Sequence, residues 1–277
     1  MLTRRSVIAL LAVGIGTATL SQQAPAQGSG YRSGGRAITV ERFDAPQGGR
    51  RPAVLLLHGS DGPSERYRNA ARQVAQGGYH VFLVHYLDRT GETRASFGSI
   101  ARNFGAWTDT AQDGIGHVAR QPGVDPARIG VLGVSLGGGL GIALAAQDRR
   151  VRALVDYYGF VPSGVGAAAA LPPTLILHGA SDQVVPVANA RALQDLLRSA
   201  GIPFEIQIYP GQGHGFTGAA QADATRRIIA FFGRKLGAQG ALSRAAQREV
   251  RSDFNGGDDD EGAQAGRSGR MGFVRGP

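Results

Sequence analysis

The chain has 277 residues, 42% of them hydrophobic, and a formal net charge of +9. This is enough for one sizeable domain with a buried core. The absence of cysteine excludes disulfides, thiolate zinc sites and a cysteine nucleophile. The positive charge is almost all arginine and is spread along the chain, whereas nucleic-acid-binding modules cluster their basic residues, so we expect no nucleic-acid partner.

Residues 1–26 have the layout of an export signal. Arg4 and Arg5 precede an apolar stretch at 7–20, and small residues follow it. The stretch is shorter than the roughly 20 apolar residues that span a bilayer, so we expect no stable membrane anchor. The paired arginines also resemble a twin-arginine signal, which carries folded proteins. The sequence therefore predicts an exported protein, periplasmic or secreted, with a flexible lead-in of Gly, Ser and Gln at 27–36.

Between residues 37 and 236, short β-branched or leucine-rich runs alternate with longer amphipathic stretches. The pattern predicts strands at 37–43, 52–58, 79–84, 128–134, 151–157, 173–178 and 203–209, and helices at 64–76, 99–120, 136–147, 187–200 and 219–235. This order predicts one α/β domain with a mostly parallel sheet of about six to eight strands and helices on both faces. Periodicity fades beyond it, so 237–277 is predicted to be a disordered, low-complexity tail.

The strongest chemical signal is the segment GVSLG at 133–137, which joins a predicted strand to a predicted helix. A serine in such a turn is exposed above the sheet as a nucleophile. Its hydroxyl needs a general base and an acid that orients this base. In folds with this turn, the partners follow in the order acid, then histidine, each after a later strand. Asp182 and His214 stand at those places, so the sequence predicts a Ser135, Asp182 and His214 triad.

Other residues compete for two of these roles. His58 and His178 lie at strand ends and are alternative bases. Each precedes a glycine, however, and is more simply explained as a structural histidine. Asp156 lies near the end of the strand at 151–157 and is the alternative acid, because some hydrolases place the acid one strand earlier.

An oxyanion hole needs two backbone amides aimed at the developing charge. The amide of Leu136 follows the nucleophile and is the first. The second is expected from the loop after the strand at 52–58, with Ser60 preferred and Gly59 or Asp61 as alternatives. No metal ligand set and no cofactor motif is predicted.

These motifs together resemble the dienelactone hydrolase family. The resemblance includes GVSLGG at 133–138, YYG at 157–159, HGASD at 178–182 and GHGF at 213–216. It implies a compact α/β-hydrolase fold that acts on esters or lactones without a metal or organic cofactor. The namesake enzymes of the family carry a cysteine where this chain has Ser135, so the triad geometry carries over and the dienelactone substrate does not.

We therefore expect a carboxylic ester hydrolase that acts on a small-molecule ester or lactone through an acyl-enzyme. Tyr158 and Phe216 adjoin the site loops and are candidate pocket walls, although they are equally well explained as core residues. A peptidase or thioesterase of the same fold remains open, as does a non-catalytic binding protein on this scaffold. The natural substrate and the oligomeric state stay open.

Overall fold

The computed structural model describes residues 29–166 and 170–237. The predicted export signal at 1–26 and residues 238–277 of the predicted tail lie outside these ranges. Within the described ranges, none of the helices combines the length and the apolar character that a membrane span requires.

The described residues form eight strands, five α-helices and one 3₁₀ turn at Tyr86–Arg89. The strands are β1 (Ser29–Ser33), β2 (Arg36–Phe43), β3 (Arg51–Leu57), β4 (His80–Val84), β5 (Val124–Val134), β6 (Val151–Tyr157), β7 (Thr174–Gly179) and β8 (Phe204–Tyr209). The helices are α1 (Glu65–Gln76), α2 (Phe97–Ala119), α3 (Leu136–Gln147), α4 (Ala188–Ser199) and α5 (Gly218–Leu236). Every strand and helix predicted between residues 37 and 236 is present.

The strands form one sheet in the order β1-β2-β4-β3-β5-β6-β7-β8. All neighbouring pairs from β4 to β8 are parallel, and only β1 with β2 and β2 with β4 are antiparallel. The predicted α/β architecture with a mostly parallel sheet is confirmed. The carboxyl ends of the six parallel strands lie at one edge of this sheet, where ligand sites of open α/β sheets form.

Helices cover both faces of the sheet, because successive side chains of a strand point to opposite faces. In β3, Leu55 and Leu57 belong to the buried cluster that also contains side chains of α2, α3 and α4, while Val54 and Leu56 belong to the cluster that contains side chains of α1 and α5. All four side chains are fully buried. Strands buried on both faces are continuous apolar runs, which is why the sequence predicts them well.

The structure corrects the flexible lead-in predicted at 27–36. Residues 29–33 form β1, which pairs with β2 as an antiparallel hairpin at the edge of the sheet. The hydroxyl of Tyr31 donates to the carbonyl of Thr110 in α2, and the hydroxyl of Ser33 lies 3.1 Å from the Thr110 hydroxyl. Backbone pairing and these polar contacts stabilise β1. A search for apolar periodicity therefore misses it.

Candidate active site

Ser135 occupies a sharp turn between β5 and α3. Its backbone has φ 55° and ψ −115°, a strained conformation for a residue with a side chain. A Cβ atom on Gly133 would overlap the carbonyl oxygen of Gly137, and one on Gly137 would overlap that of Leu57. Both flanking positions must therefore be glycine for the serine to adopt this turn.

The structure brings Ser135, His214 and Asp182 together at the carboxyl edge of the sheet. The Ser135 Oγ atom lies 2.8 Å from His214 Nε2, and His214 Nδ1 lies 2.7 Å from Asp182 Oδ2. The three residues follow β5, β8 and β7, respectively. The side chain of Asp182 is fully buried, whereas that of His214 is 19% exposed. The histidine can thus exchange a proton with a group bound from solvent.

The carboxylate of Asp182 is held by its own loop. Its Oδ1 atom accepts the backbone amides of Val184 at 2.8 Å and Val185 at 2.9 Å, which leaves Oδ2 for the histidine. An ionised carboxylate only accepts hydrogen bonds, so Nδ1 of His214 must carry the proton. Nε2 of His214 is then free to accept the hydroxyl proton of Ser135, as a general base requires.

The alternative histidines make their hydrogen bonds away from Ser135, although His178 Nε2 also lies 3.4 Å from Asp182 Oδ2. His58 is buried, with its Nδ1 atom 2.8 Å from the carbonyl of Gly59, and burial lowers its pKa to about 4. His178 is buried, with its Nε2 atom 2.8 Å from the carbonyl of Val185, and burial also lowers its pKa. The described contacts include no hydrogen bond from either ring to Ser135. Both histidines fit the structural interpretation.

The alternative acid, Asp156, lies beneath the first turn of α3. It accepts the backbone amide of Gly159 at 3.1 Å, and a Cβ atom on Gly138 would lie 2.5 Å from its Oδ1. Burial raises the pKa of the Asp156 carboxyl from 3.8 to about 7. The described contacts include no hydrogen bond between Asp156 and His214, so its place is under the nucleophile turn.

The loop after β3 lies against the nucleophile, since a Cβ atom on Gly59 would be 3.5 Å from that of Ser135. The Gly59 amide donates to the Tyr67 hydroxyl at 2.8 Å and is therefore occupied. Within the described contacts, no hydrogen bond uses the amide of Ser60 or that of Asp61. Gly59 is thus a poor oxyanion donor, while Ser60 and Asp61 remain available.

The amide of Leu136 is the first of α3, so it has no acceptor within the helix. It follows the nucleophile directly and belongs to the positive end of the helix dipole. Its position is the one expected for the first oxyanion donor.

A polar network that the sequence analysis misses supports this loop. The Tyr67 hydroxyl donates to Asp61 Oδ1 at 2.6 Å, and Nη2 of Arg66 donates to Tyr67 Oη at 2.6 Å and to Asp61 Oδ2 at 2.9 Å. On the other side, the amide of Ala95 donates to the carbonyl of Ser60 at 2.7 Å. Nothing in the sequence distinguishes Tyr67 from an ordinary core residue of α1.

Tyr158 and Phe216 belong to an aromatic cluster under the histidine. The Tyr158 ring lies 4.6 Å from that of His214, and Tyr158 is only 4% exposed. Phe216 is 7% exposed and packs on Tyr157 and Tyr209 at 4.8 and 4.6 Å. The structure therefore gives Phe216 the surroundings of a core residue, whereas Tyr158 also packs on the ring of His214.

The described residues contain no group of three or more histidine, aspartate or glutamate side chains placed to hold a metal ion.

Comparison with known proteins identifies relatives of this chain. The family model described as "Dienelactone hydrolase family" matches residues 41–239. A Methylorubrum extorquens protein named "Putative carboxymethylenebutenolidase" is 29% identical over 197 residues, which cover 65% of this chain and 68% of that protein.

Solved structures share the fold. A Pyrobaculum calidifontis esterase superposes with a TM-score of 0.63 at 22% identity, over 74% of this chain and 83% of that one. A puromycin-hydrolysing peptidase of Mycobacterium tuberculosis superposes with a TM-score of 0.66 at 22% identity, over 77% of this chain and 40% of that one. At these identities the likeness establishes the α/β-hydrolase fold and nothing finer.

Proposed function

The chain belongs to the dienelactone hydrolase family, and from this premise we propose that it is a serine hydrolase that cleaves small carboxylic esters or lactones through an acyl-enzyme. The observation that carries the proposal is the chain of two hydrogen bonds from Ser135 through His214 to Asp182, at 2.8 and 2.7 Å. A serine hydroxyl needs such a base to become a nucleophile at neutral pH.

In the proposed reaction, Ser135 Oγ attacks the acyl carbon while His214 Nε2 takes its proton. The oxyanion accepts hydrogen bonds from the amides of Leu136 and Ser60, and Asp182 stabilises the imidazolium. His214 then gives the proton to the leaving alcohol. Water enters, loses a proton to His214, and attacks the acyl carbon. The bond between the acyl carbon and Ser135 Oγ then breaks, the acid is released, and His214 returns the proton to Ser135 Oγ.

A peptidase is the second candidate, because one of the structures with this fold is a puromycin-hydrolysing peptidase. The two candidates share the acyl-enzyme and differ in the leaving group. Initial rates on matched ester and anilide substrates with the same acyl group separate them. If the protein is an ester hydrolase, the ratio of its rates on the ester and on the anilide should exceed the ratio of their intrinsic reactivities.

Labelling by a fluorophosphonate probe tests the nucleophile. We expect covalent labelling at Ser135, complete loss of labelling in Ser135→Ala, and unchanged labelling in the control Ser199→Ala, whose hydroxyl lies on the exposed side of α4 and bonds only to its own helix. Ser135→Ala, His214→Ala and the double variant should each lose on the order of 10⁴-fold in kcat/KM, because triad losses are not additive. Labelling that persists in Ser135→Ala would contradict the assignment.

A further inference from the structure

A cavity of about 290 Å³ lies beside the nucleophile turn, between α1 and α5 on the face of the sheet that they cover. Leu132 and Val134 of β5 line its inner end together with Tyr157 of β6. Ala70 of α1 and Thr225 of α5 line its two sides. The proposed reaction makes no use of this space.

Three of the lining residues also adjoin the catalytic groups. Val134 immediately precedes Ser135, and the Tyr158 ring lies 4.6 Å from that of His214. The Tyr67 hydroxyl binds the Gly59 amide at the edge of the nucleophile. These three residues therefore form the side of the cavity that faces the catalytic groups.

The inner part of the cavity is apolar, and three of the polar side chains that line it are engaged with other residues. The Tyr157 hydroxyl donates to Gln221 at 3.0 Å, the Thr225 hydroxyl donates to the carbonyl of Gln221 at 3.1 Å, and Arg66 is paired with Asp61. Leu132 and Val134 present only hydrocarbon. The inner end therefore favours a hydrocarbon group over a charged one, because Leu132 and Val134 offer a charged group no partner in exchange for its water.

We propose that this cavity is the subsite for the apolar part of the ester, an alkyl chain of about six to eight carbons or a single aromatic ring. The volume sets this size, because a water-sized group takes roughly 30 Å³. The inference rests on the proposed function, since it assigns a place to one side of the scissile ester. It predicts a preference for medium-length chains over the shortest ones on one side of the ester.

Two substrate series test the subsite and show which side of the ester occupies it. The first varies the acyl chain in 4-nitrophenyl esters from acetate to octanoate, and the second varies the alcohol in alkyl acetates from methyl to octyl. In one series, Ala70→Leu should lower the ratio of kcat/KM for the eight-carbon substrate to that for the shortest substrate by tenfold or more. Thr225→Leu narrows the cavity from the opposite helix and should have the same effect.

Ala146→Leu is the matched control. Ala146 is also a partly buried helical alanine, but it lies on α3 beside a different depression. It should leave both ratios unchanged. If Ala70→Leu and Thr225→Leu fold and turn over substrate with the wild-type ratios in both series, the cavity is not a subsite, while the serine hydrolase assignment stands.

Binding without turnover separates this inference from the reaction itself. Calorimetry on Ser135→Ala measures its affinity for 4-nitrophenyl octanoate and for octyl acetate. Adding Ala70→Leu should weaken the affinity for one of these two esters by tenfold or more. If Ala70→Leu changes the affinity for neither ester, the subsite proposal is overturned, even if the wild-type chain hydrolyses no ester.

Discussion

Two buried carboxyls near the ends of neighbouring strands differ in what they contact. Asp182 accepts a hydrogen bond from Nδ1 of His214 at 2.7 Å, whereas Asp156 accepts one from the backbone amide of Gly159 beneath α3. Asp182→Asn should lower kcat/KM by about 10³ to 10⁴-fold, because the amide can no longer hold the histidine in the required tautomer. Asp156→Asn keeps an acceptor for Gly159 and should leave kcat/KM within several-fold of wild type. Steady-state kinetics on one activated ester decides the matter, and the reverse ranking would make Asp156 the acid.

Tyr67 is expected to act by positioning the loop that carries Ser60. Tyr67→Phe removes the hydroxyl that joins the Gly59 amide to the Asp61 carboxylate, so the loop loses two hydrogen bonds. We expect kcat to fall about tenfold with KM nearly unchanged, a fraction of the 10² to 10³-fold loss that follows complete removal of an oxyanion donor.

Tyr79→Phe is the control for that measurement. The Tyr79 hydroxyl donates to the Ile229 carbonyl at 3.0 Å, remote from the loop, so its loss should cost about 1 kcal/mol of stability without changing kcat. Equal falls in kcat for the two variants, or a change confined to KM, would show that Tyr67 has only a structural role.

At the scale of residues, the sequence predicts what strand ends and glycines mark. Ser135, Asp182 and His214 each follow a strong strand signal, so their meeting can be foreseen. The choice between Gly59 and Ser60 as a donor cannot be, because it depends on a hydrogen bond from Gly59 to Tyr67 on another element. Contacts of this kind arise from packing and leave no local pattern.

Among the elements, the turn between β5 and α3 is the most demanding. Gly137→Ala places a Cβ atom against the carbonyl oxygen of Leu57, which is backbone and cannot move aside. We expect a loss of several kcal/mol in the free energy of unfolding, together with loss of ester turnover. Gly105→Ala in α2 is the opposite case, because Gly105 is exposed and nothing lies within 4 Å of the added atom.

Gly105→Ala should stabilise the protein by about 0.5–1 kcal/mol, since alanine loses less backbone entropy in a helix than glycine. Urea unfolding of both variants against wild type measures the two effects. A destabilised Gly105→Ala would mean that α2 is bent at that residue, and a stable, active Gly137→Ala would mean that the turn relaxes.

The elements also differ in how well the sequence predicts them. The parallel strands appear as continuous apolar runs, because both of their faces are buried. The residues of β1 are SGYRS, and they have neither that run nor a clear alternation. Its strand conformation comes from pairing with β2, a tertiary influence that local propensity does not contain.

For the whole molecule, the dependence of stability on pH should carry a contribution from Asp156. Burial raises the pKa of this carboxyl from 3.8 to about 7, so between these values the folded state holds a proton that the unfolded state has lost. The stability that this group contributes is therefore fully present below about pH 4 and is lost as the pH rises through 7.

Asp156→Asn removes this dependence because the amide does not titrate. Relative to wild type, the free energy of unfolding of the variant should rise steadily from pH 4 to pH 8, as measured by urea unfolding at several pH values. Burial also lowers the pKa of His58 to about 4, and this group contributes to the pH dependence of both proteins. Its contribution cancels when the two free energies of unfolding are subtracted at each pH. A difference that does not change with pH would mean that the Asp156 carboxyl titrates alike in the folded and unfolded chains.

The proposed triad is assembled from distant parts of the chain, with Ser135 and His214 79 residues apart and Asp182 32 residues before His214. Its members meet only when β5, β7 and β8 lie in register. β8 is the outermost strand on its side of the sheet, next to β7. Closing such long loops costs chain entropy before the contacts compensate for it, so we expect these contacts to form late in folding. During refolding, helical circular dichroism should therefore recover before ester turnover, and the return of turnover reports the moment at which β8 docks.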